Sequence, residues 1–349
     1  MAQTLKNPYT LSFGKSPKQI ISRNSSMNDI IETFNDDNPS QQIYMITGVR
    51  GSGKTVYMTE LSQKIQASGD WITVELNPEL DLLEGLAAKL SGETALAQMF
   101  KSAKINLSFF GFGVEIDGVA PIRDIETALE KMLLTIKKSK KKLLITIDEV
   151  ANTANMRVFA GSFQIFIRKN LPIFLIMTGL YENIDLLQNE KTLTFLYRAP
   201  KIELKPLNIR TIAENYKEAF KINDQTAMYM AKLTKGYSFA FQVLGYFTWS
   251  NNGNYKDALG DFRQYLEDYV YEKIWSGLSK GDKRLAYGIA RVKSGKVSEI
   301  RKELNMETNE FNPYRKRLVK RGIVNGEDRG YVSFTLPLFE EYVLDNYDE

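Results

Sequence analysis

A chain of 349 residues is too long for one ordinary core and predicts two or three domains. With 43% hydrophobic and 25% charged residues and a net charge of +4, the composition is that of a folded globular protein. It contains no Cys and no His, which excludes disulfides, thiolate chemistry, imidazole ligands and Ser-His triads; catalysis would have to run on carboxylates, Lys, Arg and bound metal.

The first residues, Met1-Ala-Gln-Thr-Leu-Lys6, lack the apolar stretch of a secretory signal, and no run approaches the ~20 apolar residues of a membrane span, so a cytoplasmic location is expected. Residues 7–17 carry Tyr9 and Phe13 among Pro and Gly. Two readings are open: the aromatics cap a core, or they line a pocket for a purine base. Helical spacing follows at Met27, Ile30, Ile31 and Phe34.

An apolar strand at 43–47 runs into Gly48-Val-Arg-Gly-Ser-Gly-Lys-Thr55 and then into a helix spaced by Val56, Leu61 and Ile65. Strand, glycine loop, Lys-Thr and helix is the order of a P-loop. Gly48, Gly51 and Gly53 let the backbone of Val49, Arg50 and Ser52 curl so that amide N–H groups face a polyphosphate. The helix start adds its positive dipole end. Lys54 would reach the β- and γ-phosphates and the Thr55 hydroxyl would ligate Mg²⁺. ATP or ADP with Mg²⁺ is therefore the expected ligand.

A second strand is predicted at 71–76 and an amphipathic helix from Leu80 through Leu90; residues 105–116, with weak alternation about two glycines, suggest a hairpin. A helix at 122–138 ends in a lysine run and leads to an apolar strand at 143–147 that closes on Asp148 and Glu149. Two acids at the end of a buried strand are costly to bury without a cation, the alternative being a surface turn that carries two acids. Asp148 would hold Mg²⁺ through water and Glu149 would polarise the attacking water. Another buried strand ends at Thr178, whose hydroxyl would orient that water, sense the γ-phosphate, or cap the next helix. Arg198 precedes a short strand at 201–205 and could supply positive charge to phosphoryl transfer.

After Pro206 the strands stop, and helices are expected at 208–220, 224–234, 238–248 and 255–274. Residues 279–349 read as three helices and a hairpin. The third helix is predicted to be capped by Asn312, with Pro313 in its first position. That order is a winged helix-turn-helix. Between Ser279 and Gly322 there are 13 Lys/Arg against five Asp/Glu, a local charge of +8. Tyr314, Arg315, Arg317 and Lys320 are the expected contacts to double-stranded DNA. Winged helices also dock proteins, and that reading stays open.

With these motifs in this order the chain resembles AAA+ ATPases, in the branch holding origin-recognition initiators, archaeal-type ATPases and signalling STAND NTPases. The resemblance rests on the P-loop, Asp148-Glu149, Thr178, the segments 7–14 and 20–23, the stretch 195–207, and the C-terminal stretches 314–322 and 334–339. It implies an α/β P-loop NTPase fold, a parallel sheet flanked by helices, over residues 1–207. A helical lid at 208–275 and a winged helix at 276–349 would follow. It places Tyr9 and Arg23 on the adenine side and Thr178 at the sensor-1 position. Initiators carry a lid arginine that reads the γ-phosphate, whereas Gly236-Tyr-Ser-Phe-Ala-Phe-Gln242 has none. The expected function is an ATP-dependent DNA-binding switch; the alternative is a STAND-like signalling or defence ATPase whose winged helix docks protein. Self-association is compatible with either.

Overall fold

A computed structural model describes residues 6–12, 17–113 and 115–348; Phe13 and Gly14 of the opening segment, and Val114, lie outside the described residues. The chain divides into two compact units, and the division does not run simply along the sequence.

The first unit comprises 23–47 and 54–203. Its helices are α1 (Asn24–Asn35), α2 (Lys54–Gln66), α3 (Leu82–Gly92), α4 (Thr94–Ser102), α5 (Ile125–Lys138), α6 (Ala154–Arg168) and α7 (Tyr181–Gln188). Its strands are β1 (Ile43–Thr47), β2 (Trp71–Leu76), β3 (Lys142–Ile147), β4 (Ile173–Gly179) and β5 (Lys201–Glu203). All pairings are parallel, in the order β2-β3-β4-β1-β5. The apolar runs in β3 and β4 are buried on both faces, as a helix-covered parallel sheet requires. Leu86, Leu129, Met132, Phe159 and Phe163 from the helices fill the core against them.

Because β4 lies between β1 and β3, its end is aligned with the ends of both. Ile46 pairs with Thr178 on one side, and Ile147 with Met177 on the other. This register brings the polar residues after three strands to one level.

The hairpin expected at 105–116 does not form among the described residues. Instead Ser108–Phe110 makes one 3₁₀ turn, ended by Gly111 at φ 76°. The Asn106 side chain accepts from the Ser108 N–H (3.1 Å) and donates to the Val119 carbonyl (2.7 Å), replacing ladder bonds with local ones.

The second unit comprises the residues up to Ser22, the loop Gly48–Gly53, and everything from Leu204 on. Its helices are α8 (Ile209–Phe220), α9 (Asp224–Leu233), α10 (Ser238–Ser250), α11 (Leu259–Leu266), α12 (Glu272–Ser276), α13 (Lys280–Arg291), α14 (Val297–Leu304), α15 (Thr308–Lys320) and α16 (Phe339–Asn346). A two-stranded antiparallel sheet pairs β6 (Val324–Asn325) with β7 (Ser333–Phe334). We call α8–α10 the lid helices and the part from α13 onward the C-terminal module. One continuous apolar core joins them, running from Tyr216, Phe241 and Leu244 through Tyr271 to Phe311, Leu318 and Phe339.

The long helix expected over 255–274 is interrupted by a π-helical turn at Glu267–Tyr271, where buried Tyr271 donates its hydroxyl to the Pro337 carbonyl. Helix α15 begins at Thr308, five residues ahead of the expected first position, and holds Pro313 in its interior. Fully buried Phe311 anchors the turn before the proline and Leu318 the turn after it, so tertiary packing overrides the local breaker.

Candidate nucleotide site

A polar cluster lies at the acidic end of β3 in the first unit. The Thr55 hydroxyl, in the first turn of α2, donates to Asp148 Oδ2 at 2.6 Å. The Thr178 hydroxyl, fully buried at the end of β4, donates to Asp148 Oδ1. Thr178 does not cap the following helix: α7 is preceded by Leu180, without a side-chain cap. Each Asp148 oxygen therefore has its own hydroxyl donor, one from α2 and one from the central strand.

Glu149 follows in the left-handed region, at φ 53°. For a residue with a Cβ this conformation costs about 1–2 kcal/mol. The neighbours enforce it: the Glu149 N–H faces Asp148 Oδ1 (3.1 Å) and Thr178 Oγ1 (3.3 Å), and Val150 N–H bonds the Thr178 carbonyl at 2.8 Å. The Glu149 side chain is exposed while Val150 is buried. Backbone strain held in place at a polar cluster is a mark of functional sites.

Among the described residues no group of three acids could cage a metal ion. A single carboxylate with a threonine hydroxyl fits Mg²⁺, which keeps several waters and takes the rest of its shell from phosphate oxygens. Thr55 can donate its proton to Asp148 and still offer a lone pair to a cation.

The loop Gly48–Gly53 packs within the second unit. Gly51 and Gly53 have φ of 75° and 91°, and the Ser52 N–H closes a turn on the Val49 carbonyl at 3.1 Å. Lys54, buried, and Thr55 then open α2, with half-buried Val56 in the same turn.

The loop's carbonyls are taken by the residues that start α10, a feature sequence reading missed. Tyr237 Oη donates to the Arg50 carbonyl at 2.5 Å, Phe239 N–H to the Gly51 carbonyl at 3.1 Å, and Ser238 Oγ to the Ser52 carbonyl at 2.9 Å. Tyr237 is buried, which pushes its phenol far above the usual range and keeps it a donor at any working pH. The available signal was Gly236-Tyr-Ser at a helix start; Gly236, at φ 75°, aligns Tyr237.

The other expected site residues are placed differently. Tyr9 is buried in the lid core, not open to a base: its ring stacks on Phe220 (5.7 Å), meets Phe241 edge-on (5.6 Å), and its hydroxyl donates to Asn215 at 2.8 Å. Of its two readings, core capping is the one this packing matches. Arg23 lies just before α1, and burial lowers its guanidinium pKa against the opposing charges of Tyr57 and Glu60. Arg198 ends a 3₁₀ turn at Thr194–Arg198 with its side chain exposed.

In the C-terminal module the expected DNA contacts are largely committed inward. Arg317 donates to both oxygens of buried Asp282 (2.7–3.0 Å) and to Ser279 Oγ (3.0 Å), and lies 5.1 Å from the Tyr314 ring centre. Arg315 Nη2 donates to the Gly326 carbonyl at 3.0 Å. Tyr314 is half-buried against Gly281. Arg315 and Arg317 thus hold the module together, because each guanidinium meets an internal acceptor. Lys316 and Lys320 are exposed.

Comparison with known proteins gives a consistent frame. A Walker-type ATPase of Pyrococcus abyssi superposes with a TM-score of 0.65 at 16% identity, covering 93% of this chain and 96% of that one. The Aeropyrum pernix ORC2 protein, in its ADPNP–ADP complexes, superposes with a TM-score of 0.60 at 13% identity, covering 96% and 95%. The chain shares their fold. It is an α/β P-loop NTPase architecture, a parallel sheet flanked by helices and followed by a helical region. Residues 268–343 match a domain of unknown function (DUF8462). No curated protein sequence matches the chain.

Proposed function

We propose that this protein is a Mg²⁺-dependent ATPase that works as a nucleotide-controlled switch, with its C-terminal module as the output and double-stranded DNA as the module's partner. The observation that carries the nucleotide reading is Asp148, its two oxygens bonded to the hydroxyls of Thr55 and Thr178 at the ends of aligned elements. In this reading the loop Gly48–Gly53 and Lys54 bind the phosphates, and Thr55 and Asp148 hold the cation. When bound, Mg²⁺ neutralises charge developing on the β- and γ-phosphate oxygens. Glu149 accepts a hydrogen bond from the attacking water and orients it in line with the γ-phosphate; Thr178 keeps Asp148 and the Glu149 backbone fixed. Arg198, whose side chain is exposed, would add positive charge to phosphoryl transfer.

The DNA part rests on the charge of the 279–322 segment and on exposed Lys316 and Lys320 of α15. A second reading has its own observation. Arg315 and Arg317 have internal partners, and the turn after α15 lies against the phosphate loop, where a Cβ on Gly322 would stand 3.7 Å from Val49. A module docked in this way suits a signalling ATPase that engages protein instead.

Two measurements test the reading. Labelled ATP analogue should bind the wild type and fail with Lys54→Ala. Anisotropy of a labelled random duplex, in ATP analogue and in ADP at two salt concentrations, should show tighter binding with the analogue and a steep loss with salt. Absence of DNA binding in both states sinks the DNA partner and leaves the protein-docking reading.

A further inference from the structure

We propose that Tyr237, Ser238 and Phe239 are positioning residues for the phosphate loop: the lid presets the loop's amide N–H groups by holding the carbonyls on the opposite side of its peptides. The proposal rests on the nucleotide reading above and deepens it.

The argument begins with peptide planarity. In a trans peptide the carbonyl of one residue and the N–H of the next point in opposite directions within one rigid plane. Fixing the Arg50, Gly51 and Ser52 carbonyls therefore fixes the directions of the Gly51, Ser52 and Gly53 N–H groups. Three consecutive lid residues supply the three donors. The Ser52 N–H closes the turn on Val49, which leaves Gly51 and Gly53 as the amides whose aim this clamp sets for an anion.

The lid side is built for the task. Helix α10 has no side-chain cap at its N-terminus, and the Gly51 carbonyl receives the Phe239 N–H, one of the N–H groups that has no partner inside the helix. The Tyr237 hydroxyl closes on the loop so tightly that a Cβ on Gly51 would collide with it. Gly51 thus needs both its positive φ and its missing side chain. Segment 236–242 carries no charged side chain that could reach a phosphate directly; it reads the phosphates through the loop backbone. By linkage, phosphate binding that favours the preset loop must also favour the lid contact.

The test compares two deletions of one oxygen atom. Tyr237→Phe removes the donor to the Arg50 carbonyl. Tyr216→Phe removes an equally buried donor, which bonds the Phe241 carbonyl at 2.8 Å inside the lid core and does not touch the loop. Both should melt at a lower temperature than wild type. Only Tyr237→Phe should weaken fluorescent ATP and ADP binding, by about tenfold, and speed hydrogen exchange of a peptide spanning 48–53. Ser238→Ala should move the same two readouts in the same direction. If Tyr237→Phe binds nucleotide like wild type with unchanged exchange in the loop, Tyr237 is a packing residue only and the proposal fails. If wild type and Lys54→Ala alike bind no nucleotide, the nucleotide reading itself has failed and the proposal falls with it. The Lys54→Ala control tells these two failures apart.

Discussion

Removing Arg317 separates a structural arginine from a DNA contact. Asp282 is 1% exposed, and its carboxylate receives the guanidinium at 2.7, 2.8 and 3.0 Å. Truncating one partner of a buried ion pair costs about 3–5 kcal/mol, because the other charge stays buried. Two features reduce that figure. Asp282 keeps the Ser279 hydroxyl (2.7 Å) and N–H (3.2 Å) of the capping box, and the Arg317 side chain is 41% exposed, so water screens its part of the attraction. About 2–3 kcal/mol remains for Arg317→Ala, which in a unit of this size is roughly 4–12 °C of melting temperature. Lys316→Ala, one residue earlier on the exposed face, should leave the melt within about 1 °C. Thermal melts of both variants by circular dichroism, with Asp282→Asn and the double variant completing a cycle, measure the coupling. A coupling energy above about 1 kcal/mol is expected for residues in direct contact. If Arg317→Ala melts with the wild type, the internal pairing is wrong and Arg317 returns to the candidate DNA face. In duplex titrations at several salt concentrations, Lys316→Ala should reduce the salt slope by about one without loss of fold.

Glu149→Gln should keep ATP binding and reduce turnover at least about a hundredfold, measured as phosphate release against fluorescent-nucleotide affinity. Glu149→Asn should also lose turnover while melting no lower than wild type, since Asn tolerates φ 53° better than Glu. Tyr9→Ala should cost about 3–5 kcal/mol in denaturant melts yet leave the ratio of ATP to GTP affinity unchanged, because its ring packs on Phe220 and Phe241 and not on a base. A changed nucleotide preference would return Tyr9 to the binding site.

The parts of the fold legible in the sequence were those with a strong local signal. Strands β1 and β3 were read closely because continuous apolar runs mark them, and the burial of those runs is what a parallel sheet demands. The stretch 105–116 misled because Ile105, Leu107 and Phe109 alternate with polar residues, while Asn106 captured the local backbone bonds. The start of α15 was misplaced because Pro313 is a strong local signal and Phe311 a tertiary one. Charge counting found the basic segment but could not assign its arginines. Asp282, 35 residues from Arg317, is an ordinary capping acid in the sequence and becomes its partner only when α13 and α15 pack. The clamp on the phosphate loop left only the faint signal of Gly236-Tyr-Ser, because its acceptors are backbone carbonyls, which every residue carries.

The proposed switch has no arginine at 236–242, which leaves geometry as the means by which that segment reads the phosphates. A charged side chain reports the γ-phosphate directly, by an attraction that exists only when the phosphate is present. A backbone clamp reports it by geometry, since the same rigid peptides carry a carbonyl for the lid on one side and an N–H for the phosphate on the other. Such a reading is set by the loop's conformation more than by phosphate charge. On the proposed reading ATP and ADP would then differ chiefly at the Asp148 cluster, where Thr178 ties the Asp148 carboxylate to the backbone of Glu149. The lid would register whether a nucleotide is bound, and the strand ends would register which one.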